Sequence, residues 1–201
     1  MSFIVFEGGE GAGKSTCIHR LRELLPKDTF VFTREPGGST HAEQVRNIVV
    51  GSPFTVLEQL LFMEVSRAIH LRETIKPALE AGLHVVCDRF SASTFAYQIT
   101  ADHQGKDLED LFHTLEEEIV GGTRPNLWVD FVVDPSEGMA RKQRSGDALN
   151  IFDKHKLDYH IRVRKGLDMY LADKPVKRVD ASRPPEELAQ NVLALIQREI
   201  Q

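Results

Sequence analysis

The chain has 201 residues and a mass of 22.7 kDa, a length that suits one α/β domain and is short for two. Hydrophobic residues make up 41% and charged residues 27%, which excludes collagen-like, low-complexity and wholly disordered chains. With 30 acidic and 25 basic residues the net charge is −5, so a broad electrostatic surface for nucleic acid or anionic membranes is not expected. We therefore expect a single domain, residues 1–201, that binds neither.

The cysteines and the N-terminal region bear on the cellular location of the protein. Neither Cys17 nor Cys87 lies in a CxxC or Cys/His metal spacing, so both are predicted to be buried thiols. The first residues run directly into a strand-like segment without the basic and apolar regions of a secretory signal. No stretch reaches the roughly 18 apolar residues of a membrane span. We interpret the chain as cytoplasmic.

Five short apolar runs predict buried parallel strands, because they are rich in β-branched and aromatic residues and nearly continuous. They cover residues 3–6, 30–33, 84–87, 127–133 and, more weakly, 176–179. Apolar residues recur every three or four positions from Leu57 to Leu79, which predicts a long core-facing helix ending near Gly82. Further helices are predicted over 153–171 and 185–200. Strands alternating with helices imply an α/β fold with a five-stranded parallel sheet flanked by helices.

Three other regions carry charge or loop signals. Residues 33–41 are rich in Gly and Pro, and such loops converge on the ligand at the carboxyl ends of the strands. Residues 141–150 are polar and basic and are interpreted as a cover over that site. An acidic run is interpreted as a solvated helix face and contains Glu109, Asp110, Glu116, Glu117 and Glu118.

A complete P-loop motif, GxxxxGK followed by Ser or Thr, comes directly after the first strand and opens a helix. Its glycines let backbone N–H groups point at phosphate oxygens, next to the positive end of the helix dipole. Lys14 is predicted to neutralise the β- and γ-phosphates, and the Ser15 hydroxyl to bind Mg²⁺. The predicted nucleoside triphosphate site contains Gly8, Gly9, Glu10, Gly11, Ala12, Gly13, Lys14, Ser15 and Thr16.

A P-loop alone does not separate GTPases, motors and small-molecule kinases. The NKxD segment of GTPases is absent from the sequence. Asp88 and Arg89 end the third predicted strand and Arg34 ends the second, so all three are expected at the sheet edge beside the P-loop. Asp88 is a candidate for holding Mg²⁺, and two arginines at this place indicate a second phosphorylated substrate.

Four segments resemble one family, thymidylate kinase. They are FIVFEGGEGAGKST at 3–16, TREPGG at 33–38, DRFSASTFAYQ at 88–98, and the helix that carries Arg67, Lys76 and Pro77. The resemblance covers nearly the whole chain in the right order. It implies a P-loop NTPase fold with a short lid, about residues 141–153, and phosphorylation of dTMP to dTDP by ATP and Mg²⁺. It also implies a homodimer formed through long apolar helices.

The resemblance further implies roles for single residues. Glu10 stands at the place of a carboxylate for the sugar 3′-hydroxyl, and Gly11 where one subclass keeps a catalytic arginine. The arginine is therefore expected from the lid, where Arg141 and Arg144 would stabilise the transferring phosphoryl group as catalytic residues beside Lys14 and Arg89.

The remaining implied contacts surround the two bases and the deoxyribose. Arg67 matches a donor to the thymine carbonyl, and Arg183 lies in the segment that resembles the adenine-side loop. Tyr97 is expected to exclude a 2′-hydroxyl by steric clash. The predicted dTMP site contains Glu10, Arg34, Met63, Arg67, Arg89, Ser93, Thr94, Tyr97 and Gln98.

One departure from the family pattern concerns the base. The family usually has a phenylalanine, stacked on thymine, four residues before Arg67; here that residue is Met63, preceded by Phe62. A thioether gives a softer platform than a ring. Two alternatives therefore stay open: a kinase for another or a modified deoxynucleoside monophosphate, and a P-loop protein that binds nucleotide without an acceptor.

Overall fold

The structure, a computed structural model, describes residues 1–102, 105–144 and 155–200. Its centre is one sheet of five parallel strands in the order β2-β3-β1-β4-β5. The strands are β1 (Phe3–Gly8), β2 (Phe30–Arg34), β3 (His84–Asp88), β4 (Leu127–Val132) and β5 (Val176–Asp180). The predicted α/β fold with a five-stranded parallel sheet is confirmed, and each strand overlaps its predicted run.

Helices cover both faces of this sheet. The described ranges contain two π-helical segments: Leu71–Ile75 joins α3 to α4, and Phe95–Ala101 continues α5. No helix in the described ranges is long and apolar enough to cross a membrane. The helices are α1 (Lys14–Leu24), α2 (Thr40–Gly51), α3 (Val56–His70), α4 (Lys76–Glu80), α5 (Ser91–Thr94), α6 (Lys106–Val120), α7 (Pro135–Arg144), α8 (Leu157–Tyr170) and α9 (Pro185–Glu199).

Strand β1 is buried on both faces. Phe3 and Val5 belong to the core formed with α3, α6 and α8, whereas Ile4 and Phe6 belong to the core formed with α1 and α9. Because both faces need apolar side chains, the strand appears in the sequence as a continuous apolar run without alternation. The register pairs Asp88 of β3 with Phe6 of β1 and with Arg34 of β2. The loops after these three strands therefore lie at one edge of the sheet.

The long helix after residue 55 is confirmed, but its predicted apolar face is partly wrong. A capping box between Thr55 and Glu58 begins α3. The continuous helical segment made of α3, the first π segment and α4 ends before Gly82. Leu57, Leu61 and Val65 are 47%, 44% and 50% exposed, so the stripe does not all face the core. The periodicity identified a helix with two apolar faces.

Three further boundaries differ from the sequence-based expectations. Helix α8 begins at Leu157, because Lys156 is extended, so the predicted helix is wrong at residues 155 and 156, and its predicted start at 153 lies outside the described residues. Of the predicted lid, residues 141–144 form the last turn of α7, and 145–153 lie outside the described residues. Glu116 is buried, and the hydroxyl of Tyr170 donates to it, so it does not belong to a solvated face.

Candidate active site

A cavity of about 910 Å³ opens at the carboxyl edge of the sheet. Its wall is built from the P-loop, the loop after β2, α2, α3, the segment after β3, α7 and the start of α9. The cavity brings together predicted residues from both halves of the site. The predicted site residues in its wall are Glu10, Gly11, Ala12, Gly13, Lys14, Ser15, Thr16, Arg34, Met63, Arg67, Asp88, Arg89, Ser93, Thr94, Tyr97, Gln98, Arg141 and Arg144.

Three predicted ATP residues lie outside this wall. Gly8 and Gly9 lie behind it, where their carbonyl oxygens accept hydrogen bonds from Lys14 at 2.8 and 3.0 Å. Arg183 pairs with Glu187 and, at 3.4 Å, with Asp180. The predicted contact between Arg183 and ATP stays a prediction, and this side chain is held by carboxylates of its own segment.

The P-loop turns into α1 at glycines. Gly13 precedes α1 with a φ of 80°, a left-handed conformation that glycine adopts without strain. Lys14 is buried just inside the helix, and burial, helped by the positive charge of Arg89, lowers the pKa of Lys14 to about 8. A cation that is poorly solvated gains most from an anionic ligand, so Lys14 is prepared to bind phosphate.

The P-loop backbone touches α7 through a pair of glycines. A Cβ atom on Gly11, whose φ is 66°, would lie 1.9 Å from the carbonyl oxygen of Gly138. Conversely, a Cβ atom on Gly138 would lie 2.3 Å from the carbonyl oxygen of Glu10. Neither position accepts a larger residue without a shift of the backbone. This contact fixes α7 against the P-loop and sets where the basic last turn of α7 meets the cavity.

Arg89 lies at the centre of the site and is held from several sides. Its φ of 71° is left-handed, which costs a residue other than glycine about 1–3 kcal/mol. Its guanidinium donates to Glu10 at 2.7 Å and to Ser93 at 3.0 Å, and it lies 5.3 Å from the ring centre of Tyr97. The Tyr97 hydroxyl also donates to Glu10, at 2.8 Å. Burial raises the pKa of Tyr97 well above its usual value, so its hydroxyl stays protonated.

A buried carboxylate, Glu7, lies beneath this group and was missed from the sequence. It accepts from the backbone N–H groups of Phe90 and Ser93 at 2.8 and 3.1 Å and from the Ser93 hydroxyl at 2.6 Å. Burial raises the pKa of Glu7. Glu7 thus ties the segment after β3 to β1, and its position inside a strand gave no signal for this role.

Two oxygen donors fit a Mg²⁺ ion. The Oδ1 atom of Asp88 is buried without a hydrogen-bond partner in the described structure, and the exposed Ser15 lines the same cavity. Mg²⁺ is usually bound by one or two protein oxygens together with phosphate and water. Among the described residues, no group of three or more His, Cys, Asp or Glu is arranged to hold a metal ion.

The predicted base contact, Arg67, is a buried cation with three side-chain partners. It is 1% exposed, and it donates to Glu35 at 2.9 Å, to Thr94 at 2.7 Å and to Glu64. Although burial works against charge, Glu64 and Glu35 raise the pKa of Arg67. Burial raises the pKa of Glu64. These carboxylates, which the sequence did not connect with Arg67, orient its guanidinium at the cavity wall.

Near Arg67, Met63 lines the cavity and Phe62 does not. Phe62 packs against Phe54, with ring centres 4.9 Å apart. Gln98 is buried and donates to Gln59 at 3.2 Å. Met63 is therefore the side chain of this helix that the structure presents at the wall beside Arg67.

The other cations of the cavity wall include one that the sequence did not single out. Arg34 pairs with both oxygens of Glu43 at 3.1 Å. Arg46 of α2 lines the cavity and donates to the carbonyl oxygen of Pro36 at 3.0 Å. An isolated arginine in an amphipathic helix gives no sequence signal, so only the fold brings Arg46 to the site.

The two arginines assigned to the lid have different contacts. Arg141 donates to the carbonyl oxygens of Ala181 and Ser182 at 2.6 and 3.3 Å, so it braces the loop after β5. Arg144 lines the cavity, where its Nε donates to the carbonyl oxygen of Ala140 at 3.1 Å. Lys142 lines the cavity as well.

These features define a class. A parallel sheet whose first strand runs through a phosphate loop into α1, with Lys14 at the helix start, is the P-loop NTPase fold. The thymidylate kinase family model matches residues 6–192, and the chain belongs to this family.

Curated relatives and a solved structure agree. The chain is 36% identical to the thymidylate kinase of Bacillus pumilus, with 97% of this chain and 94% of the relative covered. It is 38% identical to that of Symbiobacterium thermophilum, with 97% and 92% covered. The crystal structure of thymidylate kinase from Ehrlichia chaffeensis superposes with a TM-score of 0.75 at 27% identity, covering 98% of both chains.

Proposed function

We propose that the chain transfers the γ-phosphoryl group of ATP to dTMP and releases dTDP and ADP. The observation that carries this proposal is one continuous cavity whose wall holds the P-loop lysine, Lys14, with Arg89 beside it, together with two further arginines, Arg34 and Arg46. Two phosphorylated ligands can meet there. Membership of the thymidylate kinase family supports dTMP as the acceptor.

The chemistry requires positioning and charge neutralisation. The acceptor phosphate is ionised at pH 7, so no general base and no covalent intermediate are needed. Lys14 neutralises the β- and γ-phosphates of ATP, and Arg89 neutralises the acceptor phosphate, assisted by Arg34 and Arg46. Ser15 and Asp88 would hold Mg²⁺, which when bound neutralises phosphate oxygens of ATP.

An acceptor screen tests the proposed function. ADP release coupled to a spectroscopic signal is measured with Mg²⁺, ATP and each common ribonucleoside or deoxyribonucleoside monophosphate. We expect dTMP to give the highest kcat/KM and ADP release without acceptor to be negligible. A higher value for another monophosphate would replace dTMP as the substrate. Equal ADP release with and without acceptor would contradict the kinase assignment.

Tyr97 is proposed to select deoxyribose. Its buried ring is fixed by Glu10 and Arg89, so it cannot move aside for a 2′-hydroxyl. We expect Tyr97→Ala to narrow the preference for dTMP over ribothymidine 5′-monophosphate by roughly tenfold or more, measured as the ratio of kcat/KM values. Tyr97→Phe keeps the ring and should keep the preference. A wild-type enzyme that uses both sugars equally would refute the steric argument.

Met63 is proposed to lie against the base. An aromatic ring there would stack on thymine, which is worth roughly 0.5–1.5 kcal/mol beyond burial, so we expect Met63→Phe to lower KM for dTMP about two- to tenfold. The ratio of kcat/KM for dTMP to kcat/KM for dUMP should increase. Phe62→Leu is the matched control, because Phe62 packs outside the cavity. An unchanged KM in Met63→Phe would mean that another group covers the base.

We propose that the exposed apolar face of α3 forms a homodimer interface. Leu57, Leu61 and Val65 lie on one side of the helix, and contiguous exposed apolar surface of this kind marks association sites. We expect the wild-type chain to elute as a dimer in size-exclusion chromatography with light scattering, and Leu61→Glu to elute as a monomer. Leu24→Glu, at an exposed position of α1, is the control. A wild-type monomer would contradict the proposal.

The cytoplasmic location stays a prediction.

A further inference from the structure

His70 is a fully buried histidine in the last turn of α3. Its Nδ1 atom lies 3.0 Å from Oε1 of Glu35, and its Nε2 atom lies 2.7 Å from Oγ1 of Thr33. A carboxylate can only accept, so Nδ1 carries a proton and donates it to Glu35. The imidazole therefore connects Thr33, near the end of β2, with Glu35, the first residue of the loop that follows and that forms one wall of the cavity.

Glu35 divides its two oxygens between His70 and Arg67. Its Oε2 atom accepts from Nε of Arg67 at 2.9 Å, while the terminal nitrogens of Arg67 donate to Thr94 and Glu64. Each terminal nitrogen keeps one further N–H group, and Arg67 lines the cavity. The direction in which these N–H groups point depends on Glu35, and the orientation of Glu35 depends on His70.

The same imidazole supports the backbone of the loop. Gly38 lies so close that a Cβ atom there would be 2.5 Å from Nε2 of His70. On either side, the N–H of Gly37 donates to Ser66 at 3.1 Å, and Thr74 donates to the carbonyl oxygen of Gly38 at 2.9 Å. Helix α3 and the π segment Leu71–Ile75 thus support the loop after β2, and His70 lies between their other two contacts with it.

We propose that His70 is a positioning residue for the acceptor nucleotide. It acts through Glu35 on Arg67, on the base side, and through Gly38 on the loop that follows Arg34, on the phosphate side. Its effect is preorganisation: the loop and the guanidinium are fixed before the acceptor binds, so binding does not have to order them. The inference rests on the proposed function, because it concerns the same acceptor site.

Three substitutions test this role in the full chain. His70→Phe keeps a ring of similar size and removes both polar contacts. We expect it to raise KM for dTMP about tenfold or more and to change KM for ATP less than about twofold, since no contact of His70 reaches the P-loop. His70→Asn places an amide donor near Nδ1, and we expect it to restore most of the dTMP affinity. His70→Gln, whose amide reaches toward Thr33, should behave like His70→Phe.

Ile75→Val is the matched control, because Ile75 is equally buried in the adjoining π segment and touches the apolar core. Melting temperatures from circular dichroism are recorded for every variant. If His70→Phe does not fold, His70→Asn and His70→Gln are compared with each other: Asn should keep most of the dTMP affinity, and Gln should lose it. Equal losses in KM for ATP and dTMP, or no difference between Asn and Gln at position 70, would show a merely structural role and overturn the proposal.

The outcome for the proposed function is read separately. Wild-type ADP release that depends on dTMP tests the reaction itself. If the wild type shows none, the function fails, and calorimetric titration of dTMP into wild type and His70→Phe still decides the inference: unchanged affinity overturns it, and a loss of about tenfold supports it.

Discussion

Replacing Lys14 by methionine is expected to lower kcat/KM for phosphoryl transfer by at least about a hundredfold while the fold is retained. Methionine has a similar length and volume but no charge to place on the β- and γ-phosphates. The lysine head group bonds only to the carbonyl oxygens of Gly8 and Gly9 among the described contacts, so circular dichroism should be unchanged. Lys27→Met, at an exposed position, is the control. Turnover within tenfold of the wild type would remove the P-loop assignment.

The pKa of Lys14 gives this variant a second readout. A pKa of about 8 in the free protein means that Lys14 loses its charge as the pH rises above 8. Bound phosphates favour the charged form and raise that pKa, so binding of ATP at pH 8.5 should take up a proton. Calorimetry of ATP binding in buffers of different ionisation enthalpy measures this uptake. We expect it in the wild type and not in Lys14→Met.

Arg144→Ala is expected to lower kcat roughly a thousandfold and to change KM for dTMP much less, because an arginine that stabilises the transferring phosphoryl acts in the transition state. Arg144 lines the cavity, and Gly11 leaves the P-loop itself without an arginine. Arg141 donates to the carbonyl oxygens of Ala181 and Ser182, in the segment that resembles the adenine-side loop. Arg141→Ala should therefore mainly raise KM for ATP.

Steady-state kinetics with each substrate varied in turn separates these two effects. Gln143→Ala is the matched control, because Gln143 belongs to the same turn of α7 but does not line the cavity. If the double variant of Arg141 and Arg144 kept full kcat, the catalytic arginine would have to come from elsewhere, and Arg89 would be the next candidate.

The strands and the P-loop could be predicted because their signals are local. A strand covered on both faces must be apolar throughout, and the residues of a phosphate loop are adjacent in the sequence. Together they fix the sheet edge where Asp88, Arg89 and Arg34 meet. The periodicity of α3 also predicted a helix, but periodicity does not say what covers each face, so the exposure of Leu61 and Val65 had to come from the structure.

The buried partners of the site residues could not be predicted because they come from distant parts of the chain. Glu35 and Arg67 are 32 positions apart, and Glu7 and Ser93 are 86 apart. Nothing in either local pattern indicates that such carboxylates are buried, since isolated acidic residues are usually solvated. The predicted cover shows the complementary limit: Arg141 belongs to α7 and braces the loop after β5, while residues 145–153 lie outside the described residues.

The glycine pair between the P-loop and α7 makes two catalytic designs mutually exclusive in this backbone. The Cβ atom of an arginine at position 11 would collide with the Gly138 carbonyl, so the P-loop or α7, which carries Arg144, would have to shift. An arginine at position 11 and the present position of α7 therefore do not fit the same backbone. A chain that exchanged the two designs would have to redesign the start of α7 and the phosphate loop together.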